Sequence, residues 1–86
     1  MLQFPSIESL EAHYKKHGPH IGATSPTNYL ARANEVLRHP VMFEPGRRGA
    51  VKLRNKGTGE LVVLDPKSMK LLTYYLRRAY LQGDVV

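Results

Sequence analysis

Two histidines one helical turn apart, His13 and His17, bracket the run Tyr14-Lys15-Lys16, so that Lys16 stands directly before His17. An imidazole titrates near neutral pH and can take up or give away a proton. An ammonium beside it can stabilise developing negative charge. Cleavage of RNA by its own 2′-hydroxyl calls for these parts: a base, an acid for the leaving 5′-oxygen, and cations or donors facing the charged phosphorane. A second group of residues, Leu72-Thr73-Tyr74-Tyr75, supplies a hydroxyl that can bond a phosphate oxygen and a ring that can stack on a base. On a strand, Thr73 and Tyr75 share one face. Lys15, Lys52, Arg54 and the pair Arg47-Arg48 are the candidate substrate-binding cations. Two histidines at this spacing can also chelate a metal. The zinc-hydrolase pattern, however, needs a Glu after the first His, where this chain has Tyr14, and no third ligand is evident. The expectation is therefore a site without a metal or other cofactor.

The charge balance points the same way. Thirteen Lys and Arg stand against seven Asp and Glu, a formal +6 on 86 residues. Such an excess favours a polyanionic partner: nucleic acid first, then an acidic protein, and a membrane surface last. The absence of cysteine excludes disulfides and thiolate zinc sites. No apolar run reaches the ~20 residues of a membrane span. The first residues, Met1-Leu2-Gln3-Phe4-Pro5, lack the basic start and apolar stretch of a signal peptide. The length suits one domain over residues 1–86, expected to be the catalytic fragment of a larger chain and to be monomeric in itself.

The elements that must position these residues follow from periodicity and punctuation. Ser6 is a helix N-cap, and Ile7, Leu10 and Tyr14 recur with helical period up to His17. Gly18-Pro19 is expected to end that helix. Ser25-Pro26 starts a second helix, whose apolar stripe is Tyr29, Leu30, Ala33, Val36 and Leu37, and which should stop near Arg38 or His39 before Pro40. His20 is then a loop residue and His39 a helix-end residue, with Tyr14 and Tyr29 in the core. Val41-Met42-Phe43, Ala50 to Asn55, Glu60 to Leu64 and Lys70 to Leu76 read as strands. They are separated by Pro45 to Gly49, by the hairpin turn Lys56-Gly57-Thr58-Gly59, and by Asp65-Pro66-Lys67-Ser68. The near-continuous apolar run in Glu60 to Leu64 marks burial on both faces or a central place in the sheet. The tail from Arg77 to Val86 is a short helical turn or a further strand. The fold class is α+β: two N-terminal helices packed on a three- to four-stranded antiparallel meander sheet.

Each motif also has a plainer reading. The first helix can be an exposed basic surface with two incidental histidines. The Thr-x-Tyr pair is ordinary strand chemistry. Arg47-Arg48 and Arg77-Arg78, each taken alone, are solvated pairs. On those readings the protein is a non-catalytic RNA-binding or ribosome-associated module, or an adaptor for an acidic protein.

The run His13-Tyr14-Lys15-Lys16-His17-Gly18, then Ile21-Gly22, Ser25, Tyr29-Leu30 and Ala33, resembles the helical half of small polymorphic-toxin ribonucleases. The run Gly57 to Asp65, followed by Leu72-Thr73-Tyr74-Tyr75, resembles their second half. These are the barnase–EndoU–colicin–RelE-like toxins, among which colicin D and the contact-dependent inhibition tRNases are nearest in character. The resemblance spans roughly residues 10 to 76 and rests on short motifs. It implies an endoribonuclease toxin that cuts RNA, often tRNA, without metal and leaves 2′,3′-cyclic phosphate ends. It also implies delivery into a target-cell cytoplasm and an acidic cognate immunity protein. It places the chemistry on Lys16 and His17, accompanied by His13, and the phosphate site on Thr73 and Tyr75. Two departures stand out: the turn before the last strand, Asp65 to Met69, has no glycine, and the chain continues past Tyr75 with Leu76-Arg77-Arg78.

Overall fold

A computed structural model describes residues 1–39 and 42–77. Val41 and the tail element expected beyond Arg77 lie outside the described residues. The order of elements is α1 (Ile7–Ile21), α2 (Pro26–Arg38), β1 (Met42–Pro45), a single 3-10 turn at Arg47–Gly49, β2 (Val51–Asn55), β3 (Glu60–Asp65) and β4 (Lys70–Leu76). The four strands form one antiparallel sheet in the order β1-β2-β3-β4, with β3 inside, as its apolar run implied. The arrangement is α+β.

Both helices start where a serine hydroxyl replaces a missing backbone partner. Ser6 Oγ accepts from Ser9 N at 3.0 Å, and Ser25 Oγ accepts from Asn28 N at 3.0 Å. The end of α1 differs from expectation. The helix does not stop at Gly18-Pro19 but continues to Ile21, and the left-handed cap is Gly22 at φ 83. Two physical facts allow this. Pro19 removes only the one N–H that would have bonded Lys15 O, close to the helix end. Gly18 is buried beneath the Tyr14 ring, and its carbonyl accepts from both Gly22 N (2.9 Å) and Ala23 N (3.0 Å). His20 therefore belongs to the last helical turn and not to a loop.

The core lies between α2 and one face of the sheet. Tyr29, Leu30, Ala33 and Val36 of α2 meet Leu53, Val62, Leu64, Leu71 and Tyr74, with Phe4 closing one end. Tyr29 and Tyr74 are both fully buried, with ring centroids 5.0 Å apart. The Tyr29 hydroxyl donates to the Tyr74 carbonyl, and the Tyr74 hydroxyl donates to Glu60. Burial raises the pKa of both phenols, helped at Tyr74 by the Glu60 carboxylate, so both remain protonated donors.

An N-terminal strap sets the position of α1. Asn34, buried in α2, holds Leu2 at both backbone groups: Leu2 N donates to Oδ1 at 2.8 Å, and Nδ2 donates to Leu2 O at 2.9 Å. Gln3 then pairs beside Lys70 in parallel sense, and Leu71 N donates to Gln3 O at 2.8 Å. The chain enters α1 from the start of β4, and the helix packs along that strand.

Candidate active site

The strap fixes a register between helix and strand. From Ile7 to His17 the helix rises about 15 Å. From Lys70 to Tyr75 the strand advances about 17 Å. The chain passes the start of β4 at the Gln3–Lys70 bridge shortly before α1 begins, and after these similar advances His17 lies level with Tyr75. Their ring centroids are 5.5 Å apart with planes inclined by 33°. His13 stands one turn back, 6.1 Å from His17, and Phe4 lies 5.3 Å from His13. Phe4, His13, His17 and Tyr75 thus form a continuous row of rings from buried Phe4, ahead of α1, to half-exposed Tyr75 on β4.

The row also orients the imidazoles. His13 Nδ1 lies 2.8 Å from Ser9 O. A carbonyl can only accept, so Nδ1 carries the proton and donates, which leaves Nε2 with the lone pair in the neutral ring. His17 is held between two rings, and its pKa is lowered, first by partial desolvation and then by the positive charges of Lys16, His13 and His20. At neutral pH this favours the unprotonated imidazole, the form a general base needs.

The strand partners show which other residues share the Tyr75 face. Arg54, Leu61 and Tyr75 are cross-strand neighbours, and so are Lys52, Val63 and Thr73. These two rows lie on the face opposite the α2 core, about 7 Å apart along the strands. Thr73, Lys52 and Tyr75 are half-buried there. A bulge between Val63 and Leu64 leaves Leu72 as an extra residue on β4 and preserves the two faces on either side of it.

The remaining candidates fall differently. Lys15 and Lys16 are exposed on α1, with Lys16 close enough to act on His17 through its charge. Arg54 shares the Tyr75 face but is only 8% exposed and pairs with Glu44 at 3.0 Å, so its guanidinium faces that carboxylate rather than solvent. Arg47 and Arg48 are exposed in the 3-10 turn between β1 and β2. That turn adjoins Val51, at the opposite end of β2 from Arg54, so it lies about 10 Å from the Tyr75 row. Among the described residues no three His, Cys, Asp or Glu side chains form a group able to hold a metal ion. Sequence reasoning missed Phe4 as the inner end of the ring row. No periodicity marks it, because it lies ahead of the Ser6 cap and its ring contact with His13 spans nine positions.

The chain matches no family model, no curated protein and no solved structure. Two imidazoles, one with its tautomer fixed and one with its base form favoured, border a sheet face that carries a hydroxyl, a phenol and an ammonium. Such a set can move protons at a phosphodiester and bind its anionic oxygens.

Proposed function

We propose that the protein is a metal-independent endoribonuclease toxin with tRNA as its leading substrate. The observation that carries this reading is the placement of His17 against Tyr75, with His13 behind it. The residues singled out at the two ends of the sequence come together at one edge of the sheet. In the proposed reaction the neutral His17 imidazole takes the proton from a ribose 2′-hydroxyl. The 2′-oxygen attacks the adjacent phosphorus, and the P–O5′ bond breaks. The 5′-oxygen leaves with a proton from the protonated form of the second imidazole, His13, giving a 2′,3′-cyclic phosphate and a 5′-hydroxyl. Lys16 offsets the charge on the phosphorane, Thr73 donates to a non-bridging oxygen, and Tyr75 stacks on a neighbouring base.

The +6 charge supports a polyanionic substrate and an acidic immunity protein that neutralises the domain. Action in the cytoplasm of a target cell, after delivery from a producing cell, belongs to the same proposal. The test is incubation of the protein with total tRNA in excess EDTA. Discrete fragments ending in 2′,3′-cyclic phosphate are expected. A mobility shift with intact RNA would replace this reading with that of a non-catalytic RNA-binding module.

A further inference from the structure

A second concave site lies on the helix-covered side of the sheet, between the second half of α2 and the β2–β3 hairpin, and no residue of the His17–Tyr75 site lines it. It encloses about 510 Å³. This falls within the range of small-ligand pockets, roughly 300–1,000 Å³. On α2, Arg32, Glu35, Val36 and His39 recur at helical spacing and form one wall. Asn55, Thr58 and Glu60 of the hairpin form the other, Asn55 and Glu60 being cross-strand partners. Arg32, Thr58 and Glu60 also border a smaller recess of about 250 Å³, so they mark one end of the cleft. Glu35 and His39 border only the larger cleft and mark the other end.

The two ends carry different charges. At the first, one carboxylate oxygen of Glu60 accepts the Tyr74 hydroxyl, and Arg32 acts on the same hydroxyl from the helix. Arg32 is anchored by donation to Ile21 O at 3.1 Å. Among the described residues no ion pair joins Arg32 to Glu60, so a phenol stands between a held cation and a held anion. The second Glu60 oxygen can still accept, and Arg32 has further N–H donors. Asn55 Oδ1 accepts from Gly57 N at 2.9 Å and Thr58 N at 3.3 Å, which leaves its NH₂ group to donate. Thr58 Oγ1 accepts from Glu60 N at 3.2 Å and keeps its O–H. At the other end, Glu35 accepts from Arg38 on Oε1 at 3.4 Å and from His39 on Oε2 at 3.2 Å. Each of these oxygens has a second lone pair, and exposed pairs of this kind rearrange at little cost. Val36, only 3% exposed, is the apolar floor between the ends.

We propose that this cleft binds a free basic α-amino acid. The α-carboxylate meets Arg32, the Asn55 NH₂ group and the Thr58 hydroxyl. The α-ammonium meets the second oxygen of Glu60. The methylene stem lies on Val36, and the terminal cation reaches Glu35 beside His39. Two carboxylates against one guanidinium give the lining, with His39 neutral, the opposite sign to the +6 chain around it. A ligand with two cations and one anion is its complement. A neutral amino acid brings nothing to Glu35, and a phosphate brings like charge to both carboxylates. The site stands independently of the ribonuclease reading.

The experiment is titration of isotopically labelled protein with L-arginine, followed by amide shifts. Millimolar arginine is expected to shift Val36, Asn55 and Thr58. It should bind about tenfold more tightly than each of three analogues that lack one charged contact. These are agmatine, without the α-carboxylate, Nα-acetyl-arginine, without the α-ammonium, and norvaline, without the guanidinium. Arg32→Gln should bind arginine and agmatine alike, and Glu35→Gln should bind arginine and norvaline alike. Both side chains are exposed, so both variants should fold. Absence of any shift, or shifts that fall outside the cleft, overturns the site. Agmatine or norvaline binding the unaltered protein as tightly as arginine overturns it too. Equal binding of Nα-acetyl-arginine would replace it with a site for the C-terminal residue of a basic peptide.

Discussion

The imidazole of His17 and the phenol ring of Tyr75 stand 5.5 Å apart, although they lie 58 positions apart in the chain and belong to different kinds of element. Ahead of α1, the strap Leu2–Phe4 ties the chain to Asn34 and to the first residue of β4, along which the helix then packs. Replacing His17 by Ala should lower RNA cleavage by at least about 10²-fold, the scale of a lost general base or acid. Thermal unfolding should show the protein still folded, because His17 is half-exposed and outside the core cluster. Tyr75→Ala removes a stacking surface and should cost about tenfold, from the roughly 1–3 kcal/mol that a base–aromatic stack contributes. Cleavage by folded His17→Ala at the wild-type rate would exclude His17 from the chemistry.

The pH dependence follows from the lowered pKa of His17. Desolvation comes first among its causes and the charge of Lys16 second. If unprotonated His17 is the base, the acid limb of the kcat/KM profile lies below the ordinary imidazole value of 6.5. Lys16→Ala removes a repelling cation, so the pKa should rise and the acid limb should move to higher pH. Titration of the imidazole carbon-bound protons by NMR reads the same shift in the absence of RNA. The stability linkage has a fixed sign. The unfolded chain binds this proton more tightly than the folded one, so the contribution of His17 is fully present above pH 6.5 and is lost as pH falls through the lowered folded value.

Much of this architecture was legible because local chemistry and tertiary packing agree. Ser25-Pro26 reads as a helix start and is one. Lys70 to Leu76 reads as a strand with Thr73 and Tyr75 on one face and is one. Legibility failed where a long-range contact decided the outcome. Gly18-Pro19 carries a strong local stop signal, yet Tyr14 packs over Gly18 and α1 runs on to Gly22, bringing His20 onto the helix. The cationic side chains divided in the same way. Nothing adjacent to Arg54 marks it as buried; its partner, Glu44, lies on another strand. The level placement of His17 and Tyr75 depends on Asn34 gripping Leu2, a pairing over 32 positions that no periodicity encodes.

Gly18→Ala tests the origin of the extended helix. Within a helix this change alone should stabilise by about 1 kcal/mol. Here an added Cβ would come 2.7 Å from Tyr14 Cδ1 and 2.9 Å from Cε1. The Tyr14 ring cannot simply swing away, because it packs against the core and lies 6.1 Å from the ring of Tyr29. Overpacking of this kind costs roughly 1–3 kcal/mol, so the net effect should be destabilising. Chemical denaturation of the two proteins decides it. A more stable Gly18→Ala protein would mean that Tyr14 relaxes freely and that packing over Gly18 does not hold the helix together.

The turn between β3 and β4 offers the opposite case. Its sequence lacks a glycine, yet Met69 takes φ 58, the left-handed conformation that a glycine adopts without strain. Its side chain is 51% exposed, so little packing opposes a change there. The turn is held independently by Asp65, whose Oδ1 accepts from Lys67 N at 3.0 Å and whose carbonyl accepts from Met69 N at 2.7 Å. Relief of the left-handed strain is worth about 1–2 kcal/mol. The extra unfolded-state freedom of glycine takes back about 0.4–1 kcal/mol. Met69→Gly should therefore raise stability, by about 0.8 kcal/mol at the middle of these ranges. For a chain of this size that is about 3–6 °C in Tm. RNA cleavage should be unchanged, since Met69 precedes β4 at the end far from Tyr75. A lower Tm would show that the Met69 side chain makes a contribution to the folded state that its exposure does not reveal.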